Sequence, residues 1–459
     1  MNVLFVTSAA PEKSPFFTTE KRPPLGLGSL MSLVRKEGHS VFFIDNYLKP
    51  SRFIEEGFLE RNNIEIICLH ANTICFRDTL RVCAAIEELR AKGKWRGRVV
   101  VGGPHASVAP ETIPESVDNI VLGEGENAIL GIMNSVISER VIRCERITDL
   151  DSLPMVPWDT FSALPYDYSC NWLDTRPIYT MNTSRGCPFN CAFCSVASIW
   201  GRKYAALSPE RIIFEIEYLL KEHAAKGIYF REDNFTLNRN RTEEFCRGVI
   251  RKHLNIQWAC ETRVDTLCDE DLVKLMSNAG CRAVYLGVES GSPRMLEFMN
   301  KGISVEQIRK AVNLCKKYDI RTYCSMIAGL PSETYEDYKM SKRLMRELKP
   351  YAVSYNVYVG IPVSSLYEYI LQNKIYEFID DVGLVYLPGY DVKAKFFYGL
   401  DSRELVDYEF KQKTDYERKL LKLIKGRERG IRARKRLVNT LPEPVYRTLR
   451  AAKRNYVGY

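Results

Sequence analysis

The chain has 459 residues, of which 46% are apolar, enough to bury ordinary cores in two or three domains. The net charge of +9 is unevenly placed: residues 411–459 carry 16 Lys and Arg against 4 Asp and Glu, and the first 410 residues carry 50 against 53. The charge of the main body therefore does not favour a nucleic-acid-binding surface, and without a run of 18 apolar residues we expect no membrane-spanning helix.

The sequence begins MNVLFVTSAAPEK and shows no secretory signal. We therefore expect a cytoplasmic protein, in which the 14 cysteines are thiols or metal ligands rather than a disulfide framework. Eleven of these cysteines stand singly in apolar surroundings, and we expect them to be buried as small hydrophobic residues.

Short apolar runs alternate with helical patterns through the first 150 residues. Strands are predicted at 2–8, 40–45, 64–71, 98–103 and 118–123, with helices at 27–38 and 76–93. The strands are rich in Val and Ile and apolar on both faces, which is typical of a parallel sheet covered by helices on each side. The pattern predicts a Rossmann-like, doubly wound α/β domain over residues 1–150, with its ligand outside the carboxyl ends of the strands.

Two of these strands end in glycine-rich loops at the edge where the ligand is expected. The fourth strand runs into GGPHA at residues 102–106, and the fifth runs into GEGE at residues 123–126. Glycine allows the backbone to approach a ligand closely. One such loop would be weak evidence, but two at equivalent ends of one sheet favour a ligand over a purely structural role.

A Pro-rich linker at 151–176 leads into a second alternation over residues 177–370. Strands are predicted there at 177–183, 227–232, 257–262, 283–290, 322–329 and 353–360. Ser208 with Pro209 marks a helix start, and Ser304 with Gln307 fits a capping box. Six strand-helix units predict a partial (β/α)6 barrel, in which active residues cluster at the carboxyl ends of the strands.

Three cysteines follow the first strand of this second domain, in the stretch TSRGCPFNCAFCSV. Cys187, Cys191 and Cys194 are spaced C-x3-C-x2-C, with no second pair and no histidine nearby, which disfavours a four-ligand zinc site. A four-iron cluster is usually held by four thiolates, so three would leave one iron with an open position, as catalytic metal sites have. The glycine and proline beside Cys187 keep the stretch out of a regular helix, so that the thiolates can wrap around a cluster.

This spacing after the first strand of a partial barrel resembles the radical S-adenosylmethionine (SAM) superfamily. The resemblance implies a 4Fe–4S cluster on Cys187, Cys191 and Cys194, with SAM chelated at the open iron by its amino and carboxylate groups. An electron from the cluster then cleaves SAM to methionine and a 5′-deoxyadenosyl radical, which abstracts a hydrogen atom from the substrate. An external electron donor such as flavodoxin or ferredoxin is therefore also implied.

Motifs at the later strand ends resemble the positions that contact SAM in this superfamily. They are YFREDNF for the amino group, ETRVD and GVESGS for the carboxylate and ribose, and SMIAGLPSET for the adenine, with Ser325 in place of the first glycine. The SAM contacts so implied are Glu232, Asp233, Arg263, Glu289, Ser290, Ile327 and Gly329. The segment GIPVSSLYE resembles the P-G-T-x-L-Y sequence that ends the barrel in this superfamily, but Val363 and Ser364 replace its Gly and Thr.

Three stretches of the first domain, PPLGLGSL, GGPHAS and VDNIVLGEGE, resemble the cobalamin-binding domain found ahead of many radical SAM domains. The cobalamin contacts so implied are Leu25, Gly26, Ala71, Asn72, Gly102, Gly103, Pro104, His105, Gly123, Glu124 and Gly125. The D-x-H-x-x-G motif that supplies a lower-axial histidine is absent, which fits the subgroup that binds cobalamin without one. For the side chains of His70 and His105 we expect polar packing in loops rather than cobalt ligation.

The two resemblances together imply an enzyme like the class B radical SAM methyltransferases, which methylates a poorly nucleophilic carbon through a 5′-deoxyadenosyl radical and methylcobalamin. Both cofactors must lie close to one substrate carbon, because proximity largely decides the fate of such a radical. The substrate class stays open among small molecules, lipids and peptides.

The same parts would also serve a cobalamin-dependent radical cyclase, oxidase or rearrangement enzyme, and the sequence leaves this alternative open. A methylthiotransferase would need a second cysteine set, for which Cys68, Cys75 and Cys83 are available, but the spacing puts Cys83 inside a helix. A non-catalytic cobalamin-binding protein would leave the three clustered cysteines unexplained. Both are distant alternatives.

Residues 371–459 form a C-terminal region, in which Leu and Ile mix with dense Arg and Lys from 416 to 454 in a helical pattern. A basic amphipathic helix of this kind can cap the barrel in solution or lie on an anionic membrane surface. Peripheral membrane contact is therefore one prediction for this tail, and nucleic acid is a less favoured partner.

Overall fold

The computed structural model describes residues 1–9, 21–48, 57–358, 360, 363–373, 378–379 and 385–386. The basic tail at 416–454 lies outside these ranges, so its helix and its membrane contact remain predictions. No helix in the described ranges is long and apolar enough to cross a membrane.

The first sheet has six parallel strands. They are β1 (Asn2–Thr7), β2 (Ser40–Ile44), β3 (Ile66–His70), β4 (Arg98–Gly102), β5 (Asn119–Leu122) and β6 (Val141–Arg143). The order is β2-β1-β3-β4-β5-β6, so the direction of winding reverses between β1 and β3. A reversal of this kind leaves a crevice at the carboxyl edge. The five predicted strands are confirmed, and β6 is an addition.

Helices cover both faces of this sheet, as the apolar strands predict. They are α1 (Leu25–Lys36), α2 (Phe58–Arg61), α3 (Phe76–Ala91), α4 (Pro104–Val108) and α5 (Glu126–Met133), with 3-10 turns at Thr73–Cys75 and Pro110–Thr112. Because alternate strand residues point to opposite faces, Phe5 packs in one core cluster with Met31 of α1, and Leu4 packs in the other with Phe76 of α3.

The predicted linker is a packed part of the fold. It contains a 3-10 turn at Leu150–Ser152 and α6 (Trp158–Ser162), in which Trp158 and Phe161 are fully buried. The Trp158 ring lies 5.2 Å from the Tyr179 ring of the second domain, and the Phe161 ring lies 5.7 Å from the Phe43 ring of β2. One apolar core therefore runs without interruption from the first sheet into the second domain.

The second sheet is also six-stranded and parallel. Its strands are β7 (Ile178–Met181), β10 (Gly227–Phe230), β11 (Gln257–Arg263), β12 (Cys281–Glu289), β13 (Arg321–Ala328) and β14 (Ala352–Val357), in the order β14-β13-β12-β11-β10-β7. A small antiparallel pair, β8 (Ser184–Arg185) and β9 (Ala205–Ala206), follows β7, and β15 (Phe378–Ile379) pairs with β16 (Val385–Tyr386). The six predicted strands are confirmed.

Helices cover one face of this sheet and give the partial barrel. They are α7 (Val196–Trp200), α8 (Pro209–His223), α9 (Arg239–Arg251), α10 (Glu270–Asn278), α11 (Pro293–Phe298), α12 (Val305–Lys317), α13 (Tyr335–Leu348) and α14 (Ser365–Gln372), with a 3-10 turn at Asp265–Cys268. Ser208 caps α8 through the Arg211 N–H, and Ser304 forms the predicted capping box with Gln307. Local sequence therefore sets where these helices begin.

The close packing of α1 on α6 predicts an effect on stability. A Cβ at Gly28 would lie 2.8 Å from Cε2 of Phe161 and 3.3 Å from Cδ of Pro157. The Phe161 ring is buried and cannot swing away, so Gly28→Ala should destabilise the protein by about 1–3 kcal/mol and lower its melting temperature. Thermal unfolding followed by circular dichroism measures this.

Gly26→Ala is the matched control in the same helix. A Cβ at Gly26 meets nothing within 4 Å, so alanine there should leave stability unchanged or raise it by up to about 1 kcal/mol through helix propensity. Equal melting temperatures for the two variants would show that the contact between α1 and α6 is not tight.

Candidate functional site

The three predicted cluster cysteines lie in one loop at the carboxyl edge of the second sheet, between β8 and α7. Residues 186–195 contain no helix, as the flanking glycine and proline predict. Gly186 begins the loop with φ of 86°, and a Cβ there would lie 2.3 Å from the carbonyl oxygen of Lys203. Only glycine therefore fits the first position of the loop.

The thiols of this loop are partly shielded from water. Cys187, Cys191 and Cys194 are half-buried and form no disulfide. Burial raises the pKa of the Cys194 thiol to about 11 and also raises the pKa of Cys187, and the Asp233 carboxylate nearby adds to both shifts. Because a thiol must lose its proton to bind iron, metal binding at this loop releases protons.

The cysteine loop fits a cluster better than a single ion. Among the described residues, no group of three His, Cys, Asp or Glu side chains converges on one metal position. In an iron-sulfur cluster the thiolates bind different irons, so the sulfur atoms do not need to converge. Three separate thiolates in a non-helical loop are therefore a suitable donor set for a 4Fe–4S cluster.

The two carboxylates after β10 have different environments. Glu232 is 6% exposed, and its carboxylate accepts hydrogen bonds from the backbone N–H of Thr183 at 2.5 Å and of Ser184 at 2.7 Å. These bonds tie the end of β10 to the residues that precede the cysteine loop. Asp233 borders the cleft described below, and loss of hydration raises the pKa of this carboxyl to about 6.

Both carboxylates were predicted to contact the SAM amino group, and both residues line the cleft. The carboxylate of Glu232 already accepts bonds from Thr183 and Ser184, whereas Asp233 raises the pKa of Cys187 and Cys194 and so lies close to the cysteines.

Arg263 packs against the cysteine loop from the end of β11. Its guanidinium lies 3.6 Å from the centroid of the Phe189 ring, and Nη1 lies 3.6 Å from the sulfur of Cys191. The guanidinium also donates to Asp265 at 2.9 Å and to the Lys301 carbonyl at 2.8 Å. A fixed positive charge beside the sulfurs favours the thiolate form and lowers the pKa of Cys187 against the effect of burial.

The next strand end holds a buried ion pair. Glu289 ends β12 with a left-handed backbone, φ 66°, which is uncommon for a residue other than glycine and often marks a functional site. Lys301 donates to its carboxylate at 3.0 Å, and both side chains are less than a tenth exposed. Sequence analysis did not single out Lys301, because only the fold brings it back to Glu289.

The remaining predicted SAM residues lie at adjacent strand ends. The Ser290 hydroxyl accepts from the Ser292 N–H at 3.1 Å and lies 3.3 Å from the Ser341 hydroxyl. Ile327 is half-buried in β13, and Gly329 follows that strand with φ of 80°. The fold thus places all seven predicted residues at the carboxyl ends of β10 to β13.

A cleft lies between the carboxyl edge of the first sheet and the barrel. It contains about 1690 Å³ free of protein atoms, part of it open to solvent. Eight of the predicted cobalamin residues line it, namely Leu25, Gly26, Gly102, Gly103, Pro104, Gly123, Glu124 and Gly125. On the barrel side it is lined by residues that include Met181, Asn182, Arg231, Glu232 and Asp233. The glycines at the ends of β4 and β5 leave room for a broad ligand at this wall, so the cleft fits cobalamin.

Three predicted cobalamin residues do not line this cleft. They are Ala71, Asn72 and His105. Ala71 is fully buried, and its carbonyl accepts from the His105 N–H at 3.1 Å. The His105 ring is buried, stacks on Phe76 at 3.8 Å, and has Thr73 and Thr112 hydroxyls within 3.2 Å of its two nitrogens. The ring of His105 is therefore part of the loop packing, as expected for its side chain.

Buried ion pairs join the two halves of the site. Arg185, which directly precedes the cysteine loop, donates to Glu124 in the loop after β5 at 2.8 Å and to Glu126, the first residue of α5, at 2.7 Å. Arg146 also pairs with Glu124 and donates to the Arg185 carbonyl at 2.6 Å. Sequence analysis identified Glu124 but not Arg185, although its place beside the first cysteine was a usable signal.

Aromatic rings close the inner face of the barrel below this site. Trp172, from the linker, stacks on Tyr285 at 5.4 Å and lies 5.1 Å from Tyr323. The Tyr229 ring meets Trp172 edge-on at 4.9 Å, and its hydroxyl donates to Glu261. The open end of the barrel is therefore the end that carries the cysteine loop and faces the cleft.

Comparison with known proteins agrees with both halves of this site. The family model described as "Radical SAM superfamily" matches residues 181–371, and the one described as "B12 binding domain" matches residues 19–132. An uncharacterized methyltransferase of Pyrococcus horikoshii is 32% identical over 376 residues, which are 77% of this chain and 79% of that protein.

A second relative and a solved structure extend the comparison. An anaerobic magnesium-protoporphyrin IX monomethyl ester cyclase of Rubrivivax gelatinosus is 29% identical over 299 residues, which are 59% of this chain and 52% of that protein. The cobalamin-dependent SAM radical enzyme OxsB, solved with aqua-cobalamin bound, matches with a TM-score of 0.71 and 18% identity over 84% of this chain and 64% of that chain. This structural match concerns the fold. The chain therefore belongs to the radical SAM superfamily and carries a B12-binding domain ahead of its radical SAM domain.

Proposed function

We propose that this protein is a cobalamin-dependent radical SAM methyltransferase that adds a methyl group to an unactivated carbon. The observation that carries the proposal is the single cleft that runs from the glycine loops of the first sheet to Asp233 beside the cysteine loop. Two cofactor sites that open into one space can act on the same substrate carbon, as sequential radical formation and methyl transfer require.

The cofactors supply the chemistry, and the chain supplies binding and orientation. When bound, the 4Fe–4S cluster with SAM supplies a radical that removes hydrogen, and cobalamin supplies a methyl group. Cys187, Cys191 and Cys194 hold the cluster, and Asp233 attracts the SAM ammonium group. Arg263 keeps a positive charge beside the cysteine sulfurs, and this favours the thiolates that bind iron.

The barrel side of the cleft should receive the substrate. The stacked rings of Trp172, Tyr285 and Tyr323 occupy the barrel away from the cleft, which none of them lines, so the reacting carbon should enter from the cleft. The proposed partners are a small-molecule, lipid or peptide substrate and an external electron donor such as flavodoxin or ferredoxin.

A cobalamin-dependent cyclase is the second candidate function, because the relative from Rubrivivax gelatinosus is a cyclase. A methylthiotransferase is disfavoured by the positions of Cys68, Cys75 and Cys83. These lie in β3, in a 3-10 turn and within α3, and burial raises the pKa of all three thiols.

The proposed function predicts a metal content and a product. After anaerobic reconstitution with iron and sulfide, incubation with hydroxocobalamin and desalting, the protein should contain about four irons and one cobalt per chain. With SAM and a low-potential reductant, it should then form about one S-adenosylhomocysteine per cobalt, because the reduced cobalamin accepts the methyl group of SAM. Mass spectrometry measures this product, and a sample without cobalamin is the control.

The alternatives give other products. Formation of 5′-deoxyadenosine without S-adenosylhomocysteine would favour the cyclase or another radical reaction. Iron without cobalt would contradict cobalamin-dependent methyl transfer.

The cysteine loop predicts a selective loss of iron. Cys191→Ala should reduce the bound iron at least several-fold and remove the visible absorption of the cluster, because three thiolates are the donor set. Cys268→Ala is the control, since Cys268 is also half-buried but its thiol only contacts backbone carbonyls of Val264 and Gln307. Equal iron in the two variants would contradict the assignment.

The two acidic residues predict different defects. Asp233→Asn should weaken SAM binding about tenfold or more, because it removes a charge-assisted contact, and should leave the melting temperature near that of the unaltered protein. Glu232→Gln should lower the melting temperature, because it removes the buried negative charge 3.9 Å from the Arg241 guanidinium and puts an amide NH2 where Oε1 accepts from the Thr183 hydroxyl.

Anaerobic equilibrium dialysis with SAM and thermal unfolding separate these two effects. If Glu232→Gln weakened SAM binding with no change in stability, Glu232 would be a direct SAM contact after all.

A further inference from the structure

His70 is the last residue of β3, at the carboxyl edge where the winding of the first sheet reverses. His70 lines the cleft together with Gly102 and Gly103. Alternate residues of a strand share one face, so His70 is on the same side as Cys68, which packs in the core cluster shared with the barrel domain. The imidazole is therefore directed to the side of the sheet on which the barrel lies.

The His70 ring differs from that of His105. Within the described parts of the chain, neither ring nitrogen of His70 has a hydrogen-bond partner, whereas both nitrogens of His105 are paired. Burial lowers the pKa of His70 to about 4. The imidazole is therefore neutral near pH 7 and keeps a lone pair, which is the form that binds metals.

The His70 ring packs closely against the backbone of Gly103. A Cβ at Gly103 would lie 2.9 Å from Cδ2 and 3.2 Å from Nε2 of His70, and 2.7 Å from the Ala71 carbonyl oxygen. Gly103 has φ of 111°. The lack of a side chain at Gly103 therefore leaves room for the imidazole at the wall of the cleft, with Nε2 beside the loop predicted to contact cobalamin.

We propose that His70 is an axial ligand of the cobalt of bound cobalamin. This inference rests on the proposed function and goes beyond it, since the sequence predicted binding without a histidine ligand. Imidazole nitrogen is a good ligand for first-row transition metals, which include cobalt. His70 would then hold the cobalt from the β3 side, and the cofactor would still supply the methyl group.

Electron paramagnetic resonance of the reconstituted protein, reduced to the cob(II)alamin state, tests the ligand directly. A coordinated ¹⁴N splits each cobalt line into three, and ¹⁵N splits it into two. Protein labelled with [¹⁵N]histidine and loaded with unlabelled cobalamin should therefore show doublets. His70→Ala should retain cobalt but lose the doublets.

His253→Asn is the control. His253 is exposed and has φ of 51°, a conformation that asparagine tolerates, so this variant should keep the doublets.

The same spectra distinguish the failures. Triplets in the labelled protein would show that the nitrogen belongs to the cofactor, and unsplit lines would show that no nitrogen is bound; either result overturns the role of His70 but leaves cobalamin binding intact. A protein that retains no cobalt after desalting overturns the proposed function as well.

Discussion

The salt bridges of Arg185 with Glu124 and Glu126 fix the geometry on which the rest of the site depends. The three side chains are at most 18% exposed, and charges removed from water at this level are costly unless they are paired. Gly186 and Cys187 follow Arg185 directly, and Glu124 lies in the glycine loop after β5. The ion pairs therefore set the position of the cysteine loop relative to the first domain, and the continuous apolar core beneath them prevents the two domains from sliding apart.

The hydrogen bonds of Glu232 also hold the cysteine loop in position, from within the barrel. Its carboxylate accepts from the backbone N–H groups of Thr183 and Ser184, so the end of β10 holds the segment that leads into Arg185. Loops that carry a site are usually the mobile part of a fold. Here the loop is anchored at its start by one buried carboxylate, by the close backbone contact at Gly186 and by two ion pairs to the neighbouring domain.

Local signals in the sequence predicted most of the fold. Eleven strands were predicted from apolar runs, and Ser208 and Ser304 marked helix starts that the structure confirms. The strand β6 was missed because three residues are too short to show a pattern. The linker was read as a connector from its prolines, whereas its Trp158 and Phe161 are core residues.

The candidate site was less predictable, because its contacts join distant parts of the chain. The different surroundings of Glu232 and Asp233 could not be read from the sequence, since the bonds to Glu232 come from residues almost 50 positions earlier. The pairing of Lys301 with Glu289 likewise needs the fold.

The other cysteines bear on how the protein can be handled. Of the eleven outside the loop, Cys144 and Cys268 are half-buried and the remaining nine are buried. Burial raises the pKa of Cys246, Cys260, Cys315 and Cys324, so these thiols stay protonated and unreactive. Alkylating reagents applied to the folded protein should therefore reach Cys144, Cys268 and, where no cluster is bound, the cysteine loop. The difference in reacting thiols between protein before and after cluster reconstitution then reports how many chains carry a cluster.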